Sequence, residues 1–176
     1  PSEVCGLPVG VLVVDDGSDD DTRDVVTESG HLVVSNPINR GGGAALRLGY
    51  DILKSSGGKI CVTMDADGQH KPNELERLVS PLCNDRLDFV IGSRILGERE
   101  KDSMFRLAGV YTFGWLISRL LGSRITDPSS GYRAFNMAIM ESIHLYEDQY
   151  HTSELIIEAV RNRIRIGEAP VTILKR

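Results

Sequence analysis

The stretch "KICVTMDADGQHKPNELERLVSPLCN" (59–84) decides the architecture. Its start, 59–64, is rich in apolar and β-branched residues and predicts a buried strand. Residues 71–84 carry helical period, with Pro72 near the first turn. Pro81 is expected to end or kink that helix. Between strand and helix stand two carboxylates, Asp65 and Asp67, followed by Gly68, Gln69 and His70. Carboxylates about 5 Å apart repel by roughly 3 kcal/mol at an effective dielectric near 20. Two acids at the end of a buried strand therefore call for a cation or for hydrogen-bond donors.

The same alternation runs in both directions from this unit. Upstream, "VGVLVV" (9–14) predicts a strand and "DDGSDDDT" a turn. A short helix follows over 22–29, with Asp20 or Asp21 as its cap. A strand is predicted at 31–35, the loop "NPINRGGG" follows it, and a helix over 44–56 stops at Gly57-Gly58. Downstream come a strand at 87–93, a long amphipathic helix over 102–122, and a short strand at 131–136 with a small helix after it. A helix over 153–163 and a closing strand over 164–174, interrupted by Pro170, complete the chain. Strand-helix alternation at this spacing predicts an α/β fold, a mostly parallel sheet flanked by helices, as one domain spanning 1–176.

Bulk properties narrow the function. The 176 residues suit one domain with a real core. A net charge of −5 with a sequence pI near 5.4 argues against nucleic acid as a partner. Cys5, Cys61 and Cys83 are odd in number and lack metal spacing, so they are expected to be reduced and inert in a cytosolic setting. No secretory signal and no long apolar run is visible. The chain opens on Pro1, from which a fragment or a processed product is expected.

In open α/β sheets, ligands bind beyond the carboxyl ends of the strands. Two strands end in acid, "VLVVDD" and "VTMDAD", so Asp15, Asp16, Asp65 and Asp67 are expected at one edge. The Asp-x-Asp spacing suits Mg²⁺ or Mn²⁺, with Asp67 as ligand, Gln69 adding an amide oxygen and His70 a weaker candidate. Asp15 or Asp16 would accept hydrogen bonds from a base or a ribose. Each acidic turn alone is also what a plain turn and helix cap look like. Both on one edge, with Gln69 at the right offset, favour a metal–nucleotide site. The glycines of "NRGGGAALRLG" do not follow a strand directly, so a dinucleotide fingerprint is disfavoured. They are read as allowing close helix packing, with Arg40 or the helix start near phosphate.

"VIGSR" places Arg94 past another strand end, Arg106 lies in the long helix, and "TDPSSGYRAF" supplies Asp127, Ser130 and Arg133. Arg94 and Arg133 together suggest phosphate contacts, against salt bridging as the plain alternative. Asp127 is read as a general base or as a cap. Ser129 and Ser130 have no triad partners, which disfavours a serine hydrolase. Glu154 is read as a first-turn acid or a pocket residue.

Taken in order and at these distances, "VLVVDDGSDDDT", "NRGGGAALRLGY", "VTMDADGQHKP", "VIGSR" and "DPSSGYRAF" resemble the family-two inverting glycosyltransferases. Their fold is GT-A, a Rossmann-like type, and the branch most resembled makes dolichyl- or polyprenyl-phosphate sugars. The resemblance implies a nucleotide-sugar donor (UDP- or GDP-sugar), a divalent metal and a lipid-phosphate acceptor. It implies Asp67 and Gln69 at the metal. Asp15 or Asp16, Asp65 and Gly43 would face the nucleotide-sugar. Arg94, Arg133 and Asp127 would lie around the reacting groups, and Arg106 and Ser130 near the acceptor phosphate. It also implies a peripheral protein on the cytoplasmic face of a membrane. The long helix with Trp115 would lie on that surface, a membrane-protein partner would be one means of attachment, and self-association stays open.

Three departures stand out. No Pro-Ala-Tyr-Asn-Glu-like turn precedes Val9, so the first strand-helix unit is expected to be missing and the domain N-terminally incomplete. Gly42 stands where the family often has lysine. No Gln-x-x-Arg-Trp signature appears, which argues against a processive synthase. A soluble phosphorylated acceptor, nucleotidyl transfer and nucleotide binding without turnover remain as alternatives.

Overall fold

The computed structural model describes residues 1–97 and 125–174, together with Thr112, Trp115, Ser118 and Arg119. The expected long helix over 102–122, with Arg106, falls largely outside the described residues. Trp115 is helical and 68% exposed.

The chain opens with a small antiparallel hairpin, β1 (Glu3–Val4) and β2 (Leu7–Pro8), which periodicity does not predict. Then come β3 (Leu12–Asp15), α1 (Thr22–Glu28), β4 (Leu32–Ser35) and α2 (Gly42–Ser55). β5 (Ile60–Thr63) leads through a 3-10 turn at Pro72–Glu74 into α3 (Leu75–Cys83). β6 (Phe89–Ser93), β7 (Arg133–Asn136), a 3-10 turn at Met137–Glu141, α4 (His151–Arg161) and β8 (Ile166–Pro170) follow. α3 runs through Pro81 instead of stopping there. Pro81 lies in the last turn, where its carbonyl still accepts from the Arg86 and Leu87 amides.

The strands form more than one sheet. β3 and β4 pair in parallel, and β5-β7-β6-β8 make a four-stranded sheet. That sheet is mixed. β6 and β8 are parallel, while β7 lies antiparallel between β5 and β6. Three of its four strands thus share one direction, and β7 departs from the parallel expectation because periodicity is blind to direction.

Helix α2 underlies both sheets. Gly49 lies against Val14 of β3, and Tyr50 packs edge-on to Phe135 of β7 at 5.3 Å. On that side Phe89, Ile91, Phe135, Leu155 and Ile156 form one buried cluster; on the other, Leu78, Val79 and Leu82 of α3 cover Val90, Tyr132 and Ala134. α1 buries none of its residues.

Candidate active site

The acid-bearing turn after β5 is built by its own side chains. The Asp65 amide donates to His70 Nδ1 at 3.1 Å, and Asp67 Oδ1 accepts from the Gln69 amide at 3.0 Å. Gly68 takes a φ of +77°, which a side chain would resist. Both acids are exposed. The Asp65 carboxylate lies against Gly131, where a Cβ would come within 2.7 Å of Oδ2.

The far end of the turn is pinned. His70 is buried and stacks on Tyr132 at 4.9 Å, and the Tyr132 hydroxyl donates to the Lys71 carbonyl at 3.0 Å. Burial pushes the His70 pKa down, against the pull of Asp65 and Asp67. With Nδ1 accepting an amide proton, His70 is a turn-former and no longer a ligand candidate through that atom. Gln69 is braced as well: Nε2 donates to the Leu174 carbonyl, and the Leu174 amide returns to the Gln69 carbonyl, both at 2.9 Å.

A cavity of about 830 Å³ opens here, with Asp65, Gly68, His70, Lys71 and Leu174 in its wall. Lys71 brings a positive charge that sequence reasoning passed over. Among the described residues, no three His, Cys, Asp or Glu side chains are arranged to hold a metal by themselves. Two exposed carboxylates on one turn beside a cavity instead suit Mg²⁺ or Mn²⁺, which keep water and take phosphate oxygens.

The other acidic end is tied to the start of α2. Asp15 is buried, with Oδ1 accepting the Ser18 amide at 3.0 Å, and the hydrogen bonding of Ser18 holds its pKa low. Asp16 accepts Asn36 Nδ2 at 2.8 Å, the Arg40 amide at 3.2 Å and the Gly41 amide at 2.6 Å. It thus fastens the loop that starts α2. Gly42 abuts His151, whose Nδ1 is buried without a partner and which feels the charge of Asp65. His151 beside the start of α2 is a residue whose placement a lone histidine in sequence does not announce.

Several expectations are corrected by burial. The Gly43 amide donates to the Asp148 carbonyl at 2.8 Å, and a Cβ there would overlap the Glu147 carbonyl oxygen. Gly43 therefore packs against backbone and offers no donor to a nucleotide. Arg40 pairs with Asp148 at 3.4 Å, and Arg47 joins the same carboxylate. Arg133 is 2% exposed and donates to the carbonyls of Ser130, Thr152 and Pro128, each at 2.7 Å. Burial lowers its pKa to about 10. It is a core cation, not a phosphate ligand. Ser130 is buried and accepts the Tyr132 amide at 3.3 Å, so it too is withdrawn from an acceptor phosphate.

Asp127 is fully buried and accepts Arg94 Nε at 2.6 Å, the Arg94 amide at 3.2 Å and Ser129 Oγ at 3.1 Å. An acid held this way orients Arg94 and does not serve as a general base. Glu168 of β8 stands behind it, one carboxylate oxygen accepting the Thr126 amide at 2.9 Å, the Thr126 hydroxyl at 3.0 Å and the Asp127 amide at 3.0 Å. Glu154 takes the Tyr146 amide at 2.7 Å and the Glu147 amide at 3.1 Å, as a loop-capping acid.

These features define a class: an α/β domain with an acidic turn at a strand end, opening on a ligand-sized cavity. The fold is GT-A. The chain matches the solved glucosyl-3-phosphoglycerate synthase from Mycobacterium tuberculosis, in complex with Mn²⁺, UDP and glucosyl-3-phosphoglycerate, with a TM-score of 0.72 at 24% identity. That match covers 97% of this chain and 61% of the solved one, so the chain spans about six-tenths of that protein.

The chain belongs to the family described as Glycosyl transferase family 2, which matches residues 5–144, and it is a glycosyltransferase. Among curated relatives, it is 33% identical to the UDP-N-acetylglucosamine–dolichyl-phosphate N-acetylglucosaminyltransferase of Methanococcus voltae, over 92% of this chain and 73% of that protein. It is also 33% identical to the polyprenol monophosphomannose synthase of Mycolicibacterium smegmatis, over 96% and 68% respectively.

Proposed function

We propose that the chain binds a nucleoside-diphosphate sugar over the Asp65–Asp67 turn and transfers the sugar, with inversion, to the phosphate of a dolichyl or polyprenyl lipid. The observation that carries this reading is the exposed acid pair on one turn, with Asp65 lining the 830 Å³ cavity. Relatives named for transfer to lipid phosphate support the acceptor class. Asp67, with Asp65 and Gln69 beside it, would hold Mg²⁺ or Mn²⁺, which supplies charge neutralisation to the departing diphosphate.

Within the chain, Asp16 keeps the start of α2 in place beside His151. Lys71 offers its charge to the donor diphosphate. Arg94, oriented by Asp127, offers its guanidinium to phosphate. The acceptor is a phosphate monoester, already anionic, so no strong general base is required, and an Asp127 committed to Arg94 agrees with this. Arg106 is assigned to the acceptor phosphate by family resemblance. A peripheral position on the cytoplasmic face of a membrane, with the exposed Trp115 as a contact, completes the proposal. No helix among the described residues is long and apolar enough to cross a membrane.

The test is calorimetric titration of UDP and GDP with and without Mn²⁺, beside transfer of labelled sugar to polyprenyl phosphate. Asp67→Ala is expected to lose the Mn²⁺-dependent part of donor binding, at least tenfold, about 1.4 kcal/mol. Undiminished Mn²⁺ dependence in that variant overturns the site. Transfer to a soluble phosphate ester in the absence of lipid overturns the acceptor.

A further inference from the structure

The acidic turn after β5 is backed by a buried clamp that the donor reading leaves unused. Glu74, in the 3-10 turn at Pro72–Glu74, is only 7% exposed. Its Oε2 accepts the Thr172 amide at 2.7 Å. Its Oε1 accepts the Thr172 hydroxyl at 2.8 Å and Arg77 Nη1 at 3.1 Å. The same Arg77 nitrogen donates to the Pro170 carbonyl at 3.3 Å. A carboxylate is costly to bury, and these donors offset that cost. They also fix the register of residues 170–172 against the turn, although 98 positions separate Glu74 from Thr172.

Register at Thr172 decides what meets the turn next. Ile173 bridges to His70, the Leu174 amide donates to the Gln69 carbonyl, and the Leu174 carbonyl accepts Gln69 Nε2. A carbonyl can only accept, so this contact identifies the nitrogen end of the Gln69 side-chain amide. That leaves the amide oxygen as the atom a cation can use. The Gln69 backbone amide meanwhile donates to Asp67 Oδ1 at 3.0 Å. We propose that Glu74 is a positioning residue for the cation. By clamping Thr172 it sets the Leu174 carbonyl, and that carbonyl orients the Gln69 amide as a ligand beside Asp67. Neither Glu74 nor Thr172 lines the cavity, so both act on the turn from behind. The inference rests on the reading of the Asp65–Asp67 turn as a cation–diphosphate site.

The experiment is calorimetric titration of UDP into the full chain with and without Mn²⁺, beside amide exchange of the metal-free protein. Glu74→Ala is expected to weaken the Mn²⁺-dependent gain in UDP affinity about tenfold, and Thr172→Val about threefold. UDP affinity without Mn²⁺ should match the wild type in both. Glu74→Gln keeps an acceptor for the Thr172 amide and should recover most of the gain. In a Gln69→Ala background, Glu74→Ala should cost nothing more. Without metal, Glu74→Ala should exchange the Gln69 amide faster while the β5–β7 ladder stays protected. Thr172→Val keeps the side-chain volume and the amide bond, so it carries the test if Glu74→Ala does not fold. An unchanged Mn²⁺-dependent gain in Thr172→Val, an equal loss of metal-free affinity, or additive losses in the double variant overturns the proposal. Asp67→Ala separates the two readings. If it keeps the gain, the donor site itself falls; if it loses the gain while the Glu74 and Thr172 variants keep it, only the positioning role falls.

Discussion

Arg133 carries a full charge into the core, with Phe89 beneath its guanidinium at 5.8 Å and three carbonyls around it. Arg133→Met keeps much of the volume but leaves the carbonyls of Pro128, Ser130 and Thr152 unpaired. The expected loss is about 3–5 kcal/mol of unfolding free energy by urea titration. His70 and His151 share another property, since burial lowers the pKa of each below its ordinary 6.5. Each stays neutral in the fold while the unfolded chain takes up protons. Their contribution is whole above pH 6.5 and is lost as the pH falls from there through the lowered folded values. Thermal melts between pH 8 and pH 5 should therefore show declining Tm, and His70→Asn should flatten the decline. The acids after β5 were readable because paired carboxylates at a strand end need a reason. The roles of Arg133, Ser130 and Asp127 were not, because a motif gives order along the chain and not which way a side chain points. Glu168 and His151 are single residues with no pattern around them, and only contacts disclose them.

At the level of elements, α2 is held at its start by glycines that let it approach the 147–148 backbone. Gly43→Ala drives a methyl into the Glu147 and Asp148 carbonyls, which are backbone and cannot swing aside. It should cost about 1–3 kcal/mol, read by chemical denaturation. Gly42→Ala meets only the edge of His151 at 3.2 Å and should cost less. Strand β8 acts through Glu168. Glu168→Ala leaves the Thr126 and Asp127 amides without their acceptor and should loosen the loop that carries Asp127. The expected readout is faster amide exchange at Thr126 and Asp127 with the β6–β8 ladder still protected. Most helices and strands were legible within a few residues, because apolar period survives in each. The β1–β2 hairpin was not, since two-residue strands have no period to detect.

Across the whole molecule, stability is expected to be uneven. β6 and β7 are covered on both faces, whereas α1 buries nothing and β4 is partly exposed. Native-state hydrogen exchange should find the slowest amides in β6 and β7 and early opening in α1 and β4. Uniform protection across both sheets would contradict this. Strand-helix alternation made the α/β class legible, but the division into separate sheets is a matter of pairing that no single segment encodes. Residues 171–174 join several of these parts. Thr172 is gripped by Glu74 through bonds of 2.7 and 2.8 Å, Ile173 bridges to His70, and Leu174 exchanges hydrogen bonds with Gln69. That short segment is thus a tether across the back of the acidic turn, and tension on it is transmitted straight to Gln69. Whatever tightens the turn from the cavity side must also slow the escape of the Leu174 amide proton, so one backbone position far along the chain can serve as a gauge of occupancy.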